Sequence, residues 1–216
     1  MAPPNDLPPP DLPTAEARIA EAQARLRLAV RDPRSSRMLE SVLERVSAAL
    51  AASASFDRAL VGFERLLLGT PNATMLLESL AYAPHSAGVL ATVFAGSQFL
   101  TDILLRNPDY IVRLAETNDL GLPKQPAQFD AEARAAASYA DLAPILRSPL
   151  DSLRRYQRAE LLRIGAADLC GLNDLNTVTR QLSFLADSLI RACAHEAATR
   201  LASPLDGFAV IALGKL

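Results

Sequence analysis

Tryptophan is absent from this sequence, and cysteine and histidine occur only twice each. Two cysteines, Cys170 and Cys193, make neither a disulfide framework nor a CxxC site. They read as free, buried thiols acting as small apolar residues, as a reducing cytoplasm would keep them. Two histidines exclude a His-rich metal site. His195-Glu196 hints at a zinc helix, but Thr199 stands where the second histidine is needed, and His85 follows Pro84 at a helix boundary. Both read as structural or surface residues, and no metal ligands are assigned. Nor does any local signature support a Ser, His and acid grouping.

Charge of one sign is also lacking. The 22 basic and 24 acidic side chains leave a formal net charge of −2. A chain that binds by neutralising phosphates normally carries a basic excess, so general nucleic-acid binding is not expected. The leading MAPPNDLPPPDLP has no basic region followed by an apolar one, which excludes a signal peptide. A long uninterrupted apolar run is missing too. Ser79 to Thr101 contains no Asp, Glu, Lys or Arg, but Pro84, His85, Gly88, Ser97 and Gln98 interrupt it. A spanning helix wants about 20 continuous apolar residues, so this stretch reads as a buried helix, with no membrane contact and a cytoplasmic location.

What is present is Ala and Leu, which favour helices, while aromatic residues, which favour strands, make up 5% of the chain. Residues 1–13 are Pro-rich and hold almost no apolar bulk, so they read as a disordered lead-in. From Thr14, a fitting N-cap, Ala15, Ile19, Ala22, Leu26 and Val30 recur at three- and four-residue steps and define one helical stripe. Glu21 and Arg25 form an exposed pair one turn apart. A second helix is expected from Ser35 or Ser36 with Leu39, Val42, Leu43, Val46 and Leu50 inward. A third runs from Ser55 with Phe56, Leu60, Phe63 and Leu67, ending near Gly69. Shorter helices carry Leu76 to Leu80 and Val89 to Phe94. Ser97 is placed to cap another that bears Leu100, Ile103 and Leu104 and stops before Asn107-Pro108.

The span 118–128, with Gly121, Pro123 and Pro126, reads as a linker between a helical subdomain (14–117) and a long-helix region (129–206). Beyond a short Ala-rich helix, two long helices are expected at about 149–170 and 174–202. The second carries Val178, Leu182, Leu185, Leu189, Cys193, Ala197 and Leu201 in register. No fixed-period repeat suggests a solenoid. Phe208 to Leu213 differs from all of this: a short apolar run with β-branched residues at its centre, between Gly207 and Gly214-Lys215. It reads as a buried strand entering a glycine turn. Such a strand needs ladder partners, so 207–216 is expected to open a further, incomplete domain and to self-associate or dock on its own helices.

Gly214-Lys215 does not complete a phosphate loop, because Ala209 and Leu216 stand where Gly and Ser or Thr are required. A glycine turn after a strand still lets the backbone approach a phosphate. Arg154, Arg155 and Arg158 fall within about 100° of helical rotation. They fit a grip on a phosphate or an acidic partner surface, and equally a solvated face with local pairs to residues such as Asp151.

Three segments stand out together. The first is Gly96-Ser-Gln-Phe-Leu100 followed by Leu104-Leu-Arg-Asn-Pro108. The second is Leu153-Arg-Arg-Tyr-Gln-Arg-Ala-Glu-Leu-Leu-Arg-Ile164, continuing through Asp168 to Leu172 and Leu175 to Leu182. The third is Phe208 to Leu216. In this order and spacing they resemble the glutamine synthetase adenylyltransferase/adenylyl-removing family, the third being similar to the strand and turn that open its nucleotidyltransferase domain. The resemblance spans about 40–216. It implies a mainly α, bundle-like domain ending in the first strand of a truncated α/β nucleotidyltransferase domain.

The resemblance further implies Gly214 and Lys215 as nucleotide-binding positions, with Mg²⁺ and ATP (or phosphate) as cofactors of the complete enzyme. Glutamine synthetase is the implied partner, with a nitrogen-signalling regulatory protein as a second. The family's Asp-x-Asp, which holds Mg²⁺ against the phosphates, would follow about eleven residues after Gly214. It does not occur in this sequence, so no catalytic residue is assigned and the chain alone is expected to bind these cofactors poorly. Position near Met1 favours the de-adenylylating, phosphorolytic half over the adenylylating one. A non-catalytic helical interaction module is the competing reading.

Overall fold

The computed structural model describes residues 14–30, 32–71, 73–83, 85–111, 114, 120–139, 148–205, 207 and 209–211. Among them are nine α-helices, one 3-10 turn and no strand. The helices are α1 (Ala15–Ala29), α2 (Pro33–Ala51), α3 (Phe56–Gly69), α4 (Ala73–Tyr82), α5 (Ser86–Gly96), α6 (Gln98–Arg106), α7 (Pro126–Tyr139), α8 (Pro149–Leu169) and α9 (Leu175–Leu201), with the 3-10 turn at Pro108–Tyr110.

Side-chain caps fix several of the helix starts. Thr14 Oγ1 accepts from the Ala17 amide at 3.3 Å, and Ser97 Oγ accepts from the Leu100 amide at 3.3 Å. Asp174 Oδ1 accepts from the Thr177 amide at 2.8 Å. Each such cap is worth about 1 kcal/mol, since it satisfies an amide that the helix leaves unpaired. The second helix begins earlier than the serines at 35 and 36 suggest. Asp32 caps it, taking the Ser35 amide at 2.7 Å, and Pro33 occupies its first turn, where the missing N–H costs nothing. At the far end of α8, Gly171 adopts φ +67° and lets the Leu172 amide reach back to Ala167 O at 2.9 Å, a closure that a side chain would strain.

Two apolar cores result, and α8 belongs to both. The first gathers α1 to α6 and takes Ala159, Leu162 and Ala166 from α8. The second joins α7, α8 and α9 through Phe129, Leu153, Tyr156, Ile164, Val178 and Leu185. At 100° per residue the two α8 stripes lie roughly 130° apart, so one helix buries two faces without competition. The segment with the sparsest apolar content is nonetheless tied in. Leu120 is buried in the first core, and α7 starts at Pro126, within the span that its glycine and prolines marked as a linker.

Two expectations need correction, and a third lies largely outside the described residues. Where the strand is expected, Ala209, Val210 and Ile211 are exposed and carry no strand pairing. A strand exists only through its ladder, and no second strand is described for it to join; Phe208 and 212–216 lie outside the described residues. Cys193 is exposed, while Cys170 is half-buried, its thiol pushed up by burial. The reason is also the second correction: the α9 stripe is covered at Val178 and Leu185 but not at Cys193 or Leu201, which line an open groove between α8 and α9. Among the described residues, no helix is long and apolar enough to cross a membrane.

Candidate functional site

The first two segments singled out by motif are distant in sequence but adjacent in space, at the crossing of α6 and α8. Small residues bring the helices together. A Cβ on Gly165 would lie 2.7 Å from Leu100 Cδ1, and one on Gly96 would lie 3.1 Å from Leu169 Cδ2. Asn107 closes α6 by donating from Nδ2 to Ile103 O at 2.8 Å, and Pro108 then turns the chain into the 3-10 turn. Tyr110 in that turn donates its hydroxyl to Arg155 O on α8 at 2.9 Å.

Beside this crossing is a cleft of about 410 Å³. Phe99, Arg106 and Asn107 line it from the first segment, Gln157 and Arg158 from the second.

The three arginines proposed from spacing do not converge. Arg154 Nη1 pairs with Asp151 Oδ1 at 2.8 Å and faces the groove between α8 and α9. Arg155 Nη2 pairs with Asp109 Oδ2 at 2.9 Å, with its guanidinium 5.7 Å from the Tyr110 ring centroid. Arg158 is exposed, makes no hydrogen bond or ion pair, and lines the α6–α8 cleft. A turn of helix is wide enough to send the three to different neighbours, and an angle on a wheel says nothing of which acid stands nearby.

A buried polar network went unforeseen. Glu160 on α8 is 0% exposed. Its Oε1 accepts from Lys124 Nζ at 2.8 Å and its Oε2 from Arg163 Nε at 2.9 Å. Lys124 Nζ also donates to Glu132 Oε2 at 2.6 Å. Gln181 of α9 grips the backbone of Lys124 at two points: Lys124 N donates to Gln181 Oε1 at 2.9 Å, and Gln181 Nε2 donates to Lys124 O at 2.7 Å. Tyr156 donates to Glu132 Oε2 at 3.1 Å. Burial, with the negative Glu132 beside it, pushes its phenol well above the usual range.

Two cations and two anions balance, which is the condition for burying charge at all. A signal for this existed. Glu160 falls on the same α8 stripe as Leu153, Tyr156 and Ile164, and a carboxylate on a core stripe implies a buried cation. Each of these charges is already partnered, so the cluster fastens residues 120–125 to α7, α8 and α9 and holds no group ready for acid or base work.

A larger groove, about 960 Å³, runs between the first half of α8 and the last turns of α9, lined by Leu150, Leu153, Leu189, Cys193 and Leu201, with Leu205 and Val210 at its border. Gly214 and Lys215 lie outside the described residues. Among the described residues no group of three or more His, Cys, Asp or Glu is arranged to hold a metal ion.

A family model described as glutamate-ammonia ligase adenylyltransferase matches residues 87–216. The match begins in α5, later than the residue near 40 from which the resemblance was drawn, and it takes in the α6–α8 crossing, the buried network and α9. It covers more than half of the chain, which therefore belongs to the glutamate-ammonia ligase adenylyltransferase family.

Proposed function

We propose that this chain is the helical part of a glutamine synthetase adenylyltransferase/adenylyl-removing protein. In this reading it binds glutamine synthetase and serves the control of nitrogen assimilation by nucleotidyl transfer, or phosphorolysis, at a tyrosine of that enzyme. The observation that carries the reading is the crossing of α6 and α8. The two helical segments that resemble the family pack against each other there, inside the matched span.

Among the described residues no group of three or more His, Cys, Asp or Glu is arranged to hold a metal ion, and none is put forward as a Mg²⁺ ligand. No reaction step is assigned to them. Gly214 and Lys215 are proposed to approach the nucleotide on the strength of the resemblance alone. The alternative reading is a helical interaction module that binds without turning over. A nitrogen-signalling protein is a further proposed partner.

The test uses the whole chain with purified glutamine synthetase. Sedimentation should show a complex. Labelled ATP with Mg²⁺ should leave glutamine synthetase unlabelled, and phosphate should release no AMP from its adenylylated form. Absence of a complex would overturn the binding role, and turnover would overturn the module reading.

A further inference from the structure

Among the described residues, Arg58, Arg65, Arg106, Arg134 and Arg158 are exposed and make no hydrogen bond, ion pair or ring contact. Four of these five border α6. Arg58 and Arg65 line a cleft of about 240 Å³ on its α3 side, which Gln98 and Thr101 enter from α6. Arg106 and Arg158 line the 410 Å³ cleft on its α8 side. Exposed apolar side chains are interleaved with them. On α3, Arg58, Val61, Arg65 and Leu68 fall at three- and four-residue steps on one outward stripe, with Val61 46% and Leu68 54% exposed. Phe99 of α6 is 61% exposed.

The acids nearby do not neutralise this strip. Asp57 is held by Arg18, and Glu64 by Arg25 at 2.8 Å, both from α1. Asp102, which lines the 410 Å³ cleft and accepts from the neutral Gln98 Nε2 at 2.9 Å, keeps its charge, so one carboxylate stands against four guanidiniums. On a chain of net charge −2, free positive charge has thus gathered on one face, beside uncovered aromatic and aliphatic surface.

We propose that the face built by α3, α6 and α8 docks an acidic protein surface that carries apolar side chains, and that glutamine synthetase supplies it; the second clause rests on the function proposed above. Arginine and aromatic anchors of this kind carry most of the energy in protein interfaces, and unpaired guanidiniums fork onto carboxylates. A nucleic acid is disfavoured. Its phosphates call for a continuous basic track, whereas here the cations alternate with Val61, Leu68 and Phe99.

The experiment measures binding of the full chain to immobilised glutamine synthetase, to an immobilised peptide rich in Glu and Leu, and to a single-stranded DNA oligonucleotide. Arg58→Gln/Arg65→Gln and Arg106→Gln/Arg158→Gln should each weaken binding to glutamine synthetase by about tenfold or more and flatten its salt dependence, whereas Phe99→Ala should weaken it by about as much and leave the salt dependence unchanged. Arg134→Gln, an equally unpaired arginine on α7, should leave binding unchanged. Circular dichroism checks that each variant stays folded.

If glutamine synthetase binds and the variants match the wild type, the surface is wrong while the functional reading stands. If glutamine synthetase does not bind but the peptide does, with the same losses, the surface stands and the reading fails. Silence toward both proteinaceous probes, or tighter binding to the oligonucleotide, overturns the proposal.

Discussion

Gly62 and Phe94 meet where α3 crosses α5, so closely that a Cβ on Gly62 would lie 2.6 Å from Phe94 Cγ and 2.9 Å from Phe94 Cβ. Those atoms form the root of a buried ring and cannot swing aside. Gly62→Ala gains about 1 kcal/mol of helix propensity but forces overpacking that costs about 1–3 kcal/mol. We expect net destabilisation of up to about 2 kcal/mol.

At Gly165 the nearest atoms are the terminal methyls of Leu100, which can rotate, so Gly165→Ala should fall within about 1 kcal/mol of wild type. Gly88, exposed on α5 with nothing within 4 Å, should become more stable on mutation to Ala, by about 0.5–1 kcal/mol. Urea denaturation of the three variants checks the order.

The buried network ranks its members by burial. Glu160→Ala leaves Arg163 without a carboxylate and Lys124 with Glu132 alone, and breaking a buried pair costs about 3–5 kcal/mol. Glu132, whose side chain is 39% exposed, can be replaced with water as a partner, so Glu132→Ala should cost about 1 kcal/mol. Equal losses at the two positions would mean that Glu160 is not the keystone.

These two cases also show what was legible in the sequence. The helices were, because the three- and four-residue recurrence of Leu39, Val42, Val46 and Leu50, or of Leu60, Phe63 and Leu67, follows from burying one face of each helix. The α6–α8 crossing was not legible, since no local rule says that Leu100 will meet Gly165. Glu160 was legible in principle, as a carboxylate in step with Tyr156 and Ile164, but its partner Lys124 stands 36 residues away in a segment whose prolines suggested a linker. Of the strand expected at 208–213 only Ala209, Val210 and Ile211 are described, and composition gives a segment's preference and not its partners.

Tyr156 makes stability depend on alkaline pH. Burial, reinforced by Glu132, raises its phenol above the ordinary value of 10.0. The folded state therefore holds its proton at pH values where the unfolded chain has lost it, and stability falls as pH rises above about 10. Tyr156→Phe should flatten that decline, while costing about 1 kcal/mol near neutrality through the lost bond to Glu132. Denaturation midpoints between pH 8 and 11 provide the check, and parallel curves for the two proteins would overturn the assignment.

The last residues described belong to the groove's border and not to the core. Val210 is 59% and Ile211 77% exposed, so each keeps well under half of the 1.5–3 kcal/mol that full burial is worth. Neither makes a backbone hydrogen bond that a helix depends on, and α9 already ends at Leu201 with Ala202 in a left-handed conformation and Ser203 N bonded to Ala198 O at 3.1 Å. Deleting residues 207–216 should therefore leave the helical circular dichroism signal nearly unchanged and lower the midpoint of unfolding by no more than a few degrees. The deletion also removes Val210 from the groove lined by Leu150, Leu189 and Cys193, so the Cys193 thiol should react with a bulky maleimide at least as fast as in the full chain. Loss of helix on deletion would instead show that this segment is part of the domain's own core.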